Sequence, residues 1–224
     1  MIGLPEPYYE TELGKLYHGD CLEILPTLEP VDLVLTDPPY GIGMDKGFEG
    51  FEGFGGFGEP IARRQYDFEY DDKRPEPETL KAILRSSKNA MIFGGNFFAD
   101  ILPKSTHWIF WDKKNTMPTF GDGELIWTNF DRKSIKKVEW QYNGLLGKEK
   151  QRFHPNQKPV GLIIKLLSDY LKGKTVADFY AGSGTVSIAC ERMGIKWIAC
   201  EKIEKLCAIA KQRIENERKQ RKLF

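Results

Sequence analysis

Cysteine is scarce in this sequence and unpatterned where it occurs. Cys21, Cys190, Cys200 and Cys207 form no C-x-x-C pair and have no histidine at zinc spacing, so neither a disulfide frame nor a metal site is signalled. Reduced, buried, structural thiols are the reading left. Long apolar runs are also missing. None approaches the roughly 18 residues of a membrane span, and residues 1–14 carry Glu6, Glu10 and Glu12 where a secretion signal would be apolar. The expectation is a soluble, cytoplasmic protein with no membrane partner. An excess of either charge is lacking too, since the formal net charge is +1, which by itself says nothing about a polyanionic partner. Two phosphate-binding patterns are absent as well. Gly-x-Gly-x-x-Gly fails because Ser187 holds the last position after Gly182 and Gly184, and no Gly-Lys-Ser/Thr occurs.

What is present fits one α/β core. With 224 residues, 41% hydrophobic and 29% charged, the chain can form a single domain over 1–224. Apolar strands at Leu16–His18, Val31–Thr36, Ala90–Phe93, His107–Trp111, Glu124–Thr128, Thr175–Phe179 and Lys196–Cys200 alternate with helical patterns. The helices are expected at Cys21–Leu28, Pro75–Ser87, Phe97–Leu102, Val160–Leu171, from the glycine turn to Met193, and at the C-terminus. Val31–Thr36 is continuously apolar, as when both faces of a parallel strand are covered. The order implies a doubly wound, mostly parallel α/β sheet. Two stretches break the rhythm: a Gly-Phe-x repeat at Gly47–Gly58, read as a loop within 41–74, and Asn129–Pro155, which shows no clear period.

Charge is unevenly spread. Arg132 to Lys158 holds eight Lys or Arg against Glu139 and Glu149, whereas Asp45 to Glu78 holds ten acidic residues against five basic. The basic stretch, with Arg132, Lys133, Lys136 and Lys137 at its head, is a candidate phosphate-seeking face. Two solvated stretches of opposite sign would read the same way. Lys211 to Lys222 carries six basic and two acidic residues and is read first as a solvated terminal helix.

Chemistry concentrates at two strand ends. Asp37-Pro38-Pro39-Tyr40 directly follows Val31–Thr36, where ligands of open α/β sheets bind. Two prolines fix two φ angles and present carbonyls without N–H groups. A plain Asp-Pro turn is the alternative. Asp178-Phe179-Tyr180-Ala181-Gly182-Ser183-Gly184-Thr185 leads from a strand into a helix, with glycines where backbone could approach a ligand and free N–H groups at the helix start. Glu201 closes the next strand, where a carboxylate can take ribose hydroxyls or simply favour a helix start.

Taken together, with Gly19-Asp20 upstream and His154-Pro155-Asn156-Gln157-Lys158-Pro159 between the two, these motifs resemble the permuted, beta-class DNA amino-methyltransferases of the N6-adenine/N4-cytosine family. The resemblance implies a Rossmann-like methyltransferase fold using S-adenosylmethionine, with DNA as substrate. It implies that Asp20 lies near the cofactor's adenine, Glu201 on its ribose, and Asp178, Phe179, Ala181, Gly182, Ser183 and Gly184 around its methionine part. Lys158 belongs to a segment that helps form that pocket. In this reading Asp37 and the Pro38 carbonyl accept the protons of a conjugated amino group, freeing its lone pair, and Tyr40 stacks on the flipped base. An Asp at the head of the tetrapeptide favours adenine N6 by the same resemblance. Cytosine N4, an RNA substrate and a non-catalytic cofactor-binding module stay as alternatives. The region 129–153 is left to recognise the target, the Gly-Phe loop is read first as a flexible tether, with stacking of its phenylalanines on bases as the alternative, and assembly as a homodimer is left open.

Overall fold

A computed structural model describes residues 5–43, 73–115, 121–141, 153 and 156–221. The Gly-Phe repeat at 47–58, the stretch 142–152 and His154–Pro155 lie outside the described residues. Strands β1 (Tyr9–Glu10) and β2 (Gly14–His18) open the chain, and helix α1 (Cys21–Ile24) leads to β3 (Val31–Thr36). Helix α2 (Pro77–Arg85) returns to β4 (Ser87–Phe93), followed by β5 (His107–Asp112), β6 (Gly123–Thr128) and β7 (Ser134–Glu139). Then come α3 (Val160–Tyr170), β8 (Thr175–Asp178), α4 (Thr185–Met193), β9 (Lys196–Glu201) and α5 (Glu204–Arg221).

Among the described residues these strands form one sheet in the order β1-β2-β9-β8-β3-β4-β6-β5-β7, parallel except for β1 and β6. Alternate side chains serve two cores. Leu33, Leu35, Met91, Phe93 and Val176 pack under α3, α4 and α5, while Val34, Ala90, Ile92 and Ala177 pack under α1 and α2. Layers on both faces explain why Leu33, Val34 and Leu35 of β3 are consecutive apolar residues, all buried. From β3 the chain crosses to β4 in one direction, and from β8 to β9 in the other. The sheet therefore has its switch point between β3 and β8, which pair at Leu33↔Val176 and Val34↔Ala177. All four cysteines are buried and unbridged. Among the described residues, no helix is long and apolar enough to cross a membrane.

Three expectations need correction. The helix over Cys21–Leu28 stops after one turn and continues as a 3₁₀ turn at Leu25–Thr27, because Pro26 has no N–H to donate and crowds a continuing α-helix. The helix over Phe97–Leu102 is instead a 3₁₀ turn at Gly95–Phe98, entered through Gly94 at φ +63°. Asn129–Pro155 contains β7, invisible to a hydrophobic pattern because only Val138 of that edge strand is buried and Ile135 is 73% exposed.

Candidate active site

Asp37 leaves the carboxyl end of β3 with its side chain 22% exposed. Its Oδ1 accepts a hydrogen bond from the Tyr40 hydroxyl at 2.7 Å, and its Oδ2 meets the Lys158 ammonium at 2.5 Å. Lys158 also lies 3.3 Å from Glu124, whose other oxygen is 2.6 Å from Lys113. Burial works against the Lys158 charge, but Asp37 and Glu124 more than offset it and hold the ammonium above the usual lysine range. Burial pushes the Asp37 carboxyl up, with Lys158 pulling it back and Glu124 adding to the rise. Tyr40 is fixed on all sides. Its ring stacks on Phe97 at 4.7 Å between centroids and meets Phe98 edge-on. A Cβ at Gly94 would stand 2.2 Å from the Tyr40 ring, so only glycine fits there.

One strand away in the sheet, Asp178 ends β8 and accepts from the Thr36 hydroxyl at 2.7 Å and from the Tyr180 N–H at 3.1 Å. Burial pushes its carboxyl up to about 7 against those two bonds. Glu201, at the end of β9, accepts from the Gly182 N–H at 2.7 Å and the Ile203 N–H at 2.8 Å. Burial raises this carboxyl too, and the backbone donors oppose the rise.

Two cavities meet at Asp37. A cleft of about 630 Å³ is lined by Gly19, Asp20, the whole of Asp37–Tyr40, Phe179 and Glu201, among others. A small cavity of about 70 Å³ is lined by Asp178, Ala181, Ser183, Gln157 and Lys158, among others. Asp37, Asn156, Tyr180 and Gly182 line both and form the wall between them. Asp20 is at the cleft as N-cap of α1, accepting from the Leu22 N–H at 3.0 Å.

The expected site residues thus gather around one opening, with qualifications. Lys158 lines the small cavity, yet its ammonium is committed to two half-buried carboxylates, Asp37 and Glu124. Gly184 does not make room for a ligand. Its missing Cβ lets α5 approach, since an added one would stand 2.9 Å from Ala210. Tyr40 has one ring face already covered by Phe97. The basic cluster is not one patch. Arg132 and Lys133 precede β7 at the end of the sheet opposite Asp37, and the Arg132 guanidinium lies over the Tyr170 ring. Lys136 and Lys137 alternate across the strand, and Lys137 is paired with Glu139 at 2.5 Å and Asp112 at 3.4 Å. Among the described residues, Lys133 and Lys136 have no carboxylate within ion-pair reach.

Several contributors carried no local signal. Glu124 and Lys113 are isolated charges on or beside strands, and Phe97 sits in a turn. Arg213 of α5 donates to the Ser183 carbonyl at 2.5 Å and to its hydroxyl at 2.8 Å, bracing the glycine turn from behind. The Ser183 hydroxyl in turn donates to Gln157 at 3.2 Å.

Residues 31–212 match the model of a DNA methylase family of the N6/N4 type. The chain is 24% identical to type II methyltransferase M2.LlaDCHI of Lactococcus lactis subsp. cremoris, over 94% of this chain and 93% of that protein. It is also 24% identical to type II methyltransferase M2.DpnII of Streptococcus pneumoniae, over 96% and 94%. Among solved structures, the M1.HpyAVI–SAM complex aligns with a TM-score of 0.57 at 23% identity, covering 89% of this chain and 99% of that one. PvuII DNA methyltransferase (cytosine-N4-specific) aligns with a TM-score of 0.58 at 15% identity, covering 94% and 93%. At these identities the structural likeness is one of fold.

Proposed function

Because the chain belongs to the N6/N4 DNA methylase family, we propose that it transfers a methyl group from S-adenosylmethionine to the exocyclic N6 of adenine in DNA. The observation that carries this reading is the meeting of the two cavities at Asp37, which leaves one carboxylate between a donor and an acceptor. The described residues fit that donor. The Glu201 carboxylate stands at the cleft to receive ribose hydroxyls, Asp20 is beside it, and the small cavity leads off past Gly182 and Ser183. When bound, the cofactor supplies an electrophilic methyl on a sulfonium. Asp37 and the Pro38 carbonyl accept the amine's protons, so that its lone pair turns toward that methyl. Lys158 and Tyr40 hold the Asp37 carboxylate in place, and most of the acceleration comes from alignment. Tyr40 lines the cleft beside Asp37, and in this reading the flipped base packs against it there. Such a protein works where the DNA is, in the cytoplasm of a bacterium.

The test is mass analysis of nucleosides from DNA incubated with the protein and labelled S-adenosylmethionine. N6-methyladenine is the expected product. N4-methylcytosine would replace the adenine reading with the one that the PvuII likeness favours, and label found only in RNA would overturn DNA as substrate. Two variants refine the site. Glu201→Ala is expected to weaken cofactor binding by about 1.5–3 kcal/mol, the range for hydrogen bonds to a charged group, as read by calorimetry; unchanged affinity would remove Glu201 from the pocket. Gly94→Ala is expected to displace the Tyr40 ring and slow transfer by about 100-fold, the scale for an ångström of misplacement, with cofactor affinity unchanged. A variant at full rate would show that Tyr40 need not hold this position.

A further inference from the structure

Four charges of alternating sign run from the protein surface into the site: Lys113, Glu124, Lys158 and Asp37. Lys113 is 23% exposed, Glu124 20%, Lys158 9% and Asp37 22%. Lys158 is boxed in by the two carboxylates and by the rings of Phe93 and Tyr40, with its ammonium 5.1 and 5.8 Å from their centroids. Glu124 touches everything that holds Asp37. Its carboxylate meets Lys158 at 3.3 Å and lies 3.4 Å from the Tyr40 hydroxyl, whose proton goes to Asp37. Nothing in the transfer as derived so far uses it.

We propose that Glu124 is a positioning residue for methyl transfer, acting as the standing counter-ion of Lys158 while Asp37 carries the proton released by the methylated amine. This rests on the methyl-transfer reading. As the nitrogen–carbon bond forms, the carbon–sulfur bond breaks and the sulfonium charge passes to the nitrogen. An N–H then breaks and its proton goes to Asp37, which becomes neutral. Before transfer the Lys158 ammonium is balanced by Asp37. Afterwards it would be a buried ion without a partner, a state that costs several kcal/mol, unless a second carboxylate remains. Glu124 is that carboxylate, and Lys158 first and Lys113 second hold its carboxyl below the usual range against burial. The contribution is therefore larger in the product-like state than in the resting one, which is the condition for acting on rate and not on binding.

The groups facing Asp37 are Lys158, Glu124, Tyr40 and, at the end of the neighbouring strand β8, Asp178. Those facing Glu124 are Lys158, Lys113 and Tyr40. Removing the negative Glu124 makes Asp37 easier to ionise, and removing the positive Lys113 makes it harder. The experiment compares Glu124→Gln and Lys113→Gln with the parent, on PCR-amplified DNA and labelled S-adenosylmethionine under single-turnover conditions across pH. A carbon NMR titration of the Asp37 carboxyl in the ligand-free protein, assigned by its loss in Asp37→Asn, runs alongside. Glu124→Gln is expected to slow transfer about 10- to 100-fold with cofactor affinity unchanged. It should also move the Asp37 titration and the acid limb of the rate to lower pH, and Lys113→Gln should move both to higher pH. A Glu124→Gln variant at the parent's rate, or shifts that are absent or of one sign, would overturn the proposal. Absence of methylation by the parent protein would overturn the function itself, a result that the NMR titration does not depend on.

Discussion

Asp37→Asn is expected to reduce single-turnover transfer by about 10²- to 10⁴-fold, the range for removing a group that accepts a proton in the transition state, while cofactor affinity stays within a few-fold. The carboxylate lies on the wall shared by the two cavities, and the residues expected to hold the cofactor's ribose and adenine, Glu201 and Asp20, are on other elements. Asparagine keeps the shape but presents an N–H₂ donor on one side, facing either the Lys158 ammonium or the Tyr40 hydroxyl. Asp37→Ala is expected to lose at least as much. Rapid-quench measurement with labelled donor, paired with calorimetry, separates the two quantities. Substantial transfer by either variant would remove Asp37 from the chemistry.

Lys158→Met is expected to show the second large effect, on stability as well as rate. Removing one partner of a buried pair typically costs about 3–5 kcal/mol, because the other charge is left without compensation. Here the residual charge is Asp37, with Glu124 still ionised nearby and still paired with Lys113. Asp37 already titrates above the ordinary range because of burial, and without Lys158 it rises further. A carboxyl whose folded pKa lies above its unfolded value binds its proton more tightly when folded. Stability is therefore lost as pH rises from the unfolded carboxylate pKa to the raised folded one. The deficit of the variant should be small near pH 4 and reach its full size at neutral or higher pH. Thermal unfolding of parent and variant at a series of pH values checks this, and a deficit independent of pH would mean that the loss is one of packing alone.

The parts of this site that could be read in the sequence are short strings at strand ends. Asp37–Tyr40 and Asp178–Gly184 are each continuous, and each follows a strand whose apolar run announces it. Their adjacency follows from the parallel pairing of β3 with β8. Glu124 is different. It reaches Tyr40 across 84 positions of chain and Lys158 across a shorter but still non-local stretch, and a single glutamate on a strand has no pattern to distinguish it from a solvated one. Arg213 was submerged in a basic helix for the same reason, although it braces the glycine turn 30 positions away. β7 carries no sequence signal because an edge strand with one buried residue lacks the alternation that marks the others. The basic cluster illustrates a related limit, since residues adjacent in sequence point to opposite sides once they lie on a strand.

The packing of Tyr40 has an entropic side. Its ring is held against Phe97 and over Gly94, and its hydroxyl is bound to Asp37, before any nucleotide arrives. Immobilising a side chain during association typically costs about 0.5–1.5 kcal/mol. For this tyrosine the ordering takes place during folding, so on the proposed reading a flipped base would meet a slot whose rotor is already still. The cost has moved from recognition to the stability of the turn at Gly94–Phe98. A substitution that loosened that turn would therefore weaken base capture without removing a single contact to the base.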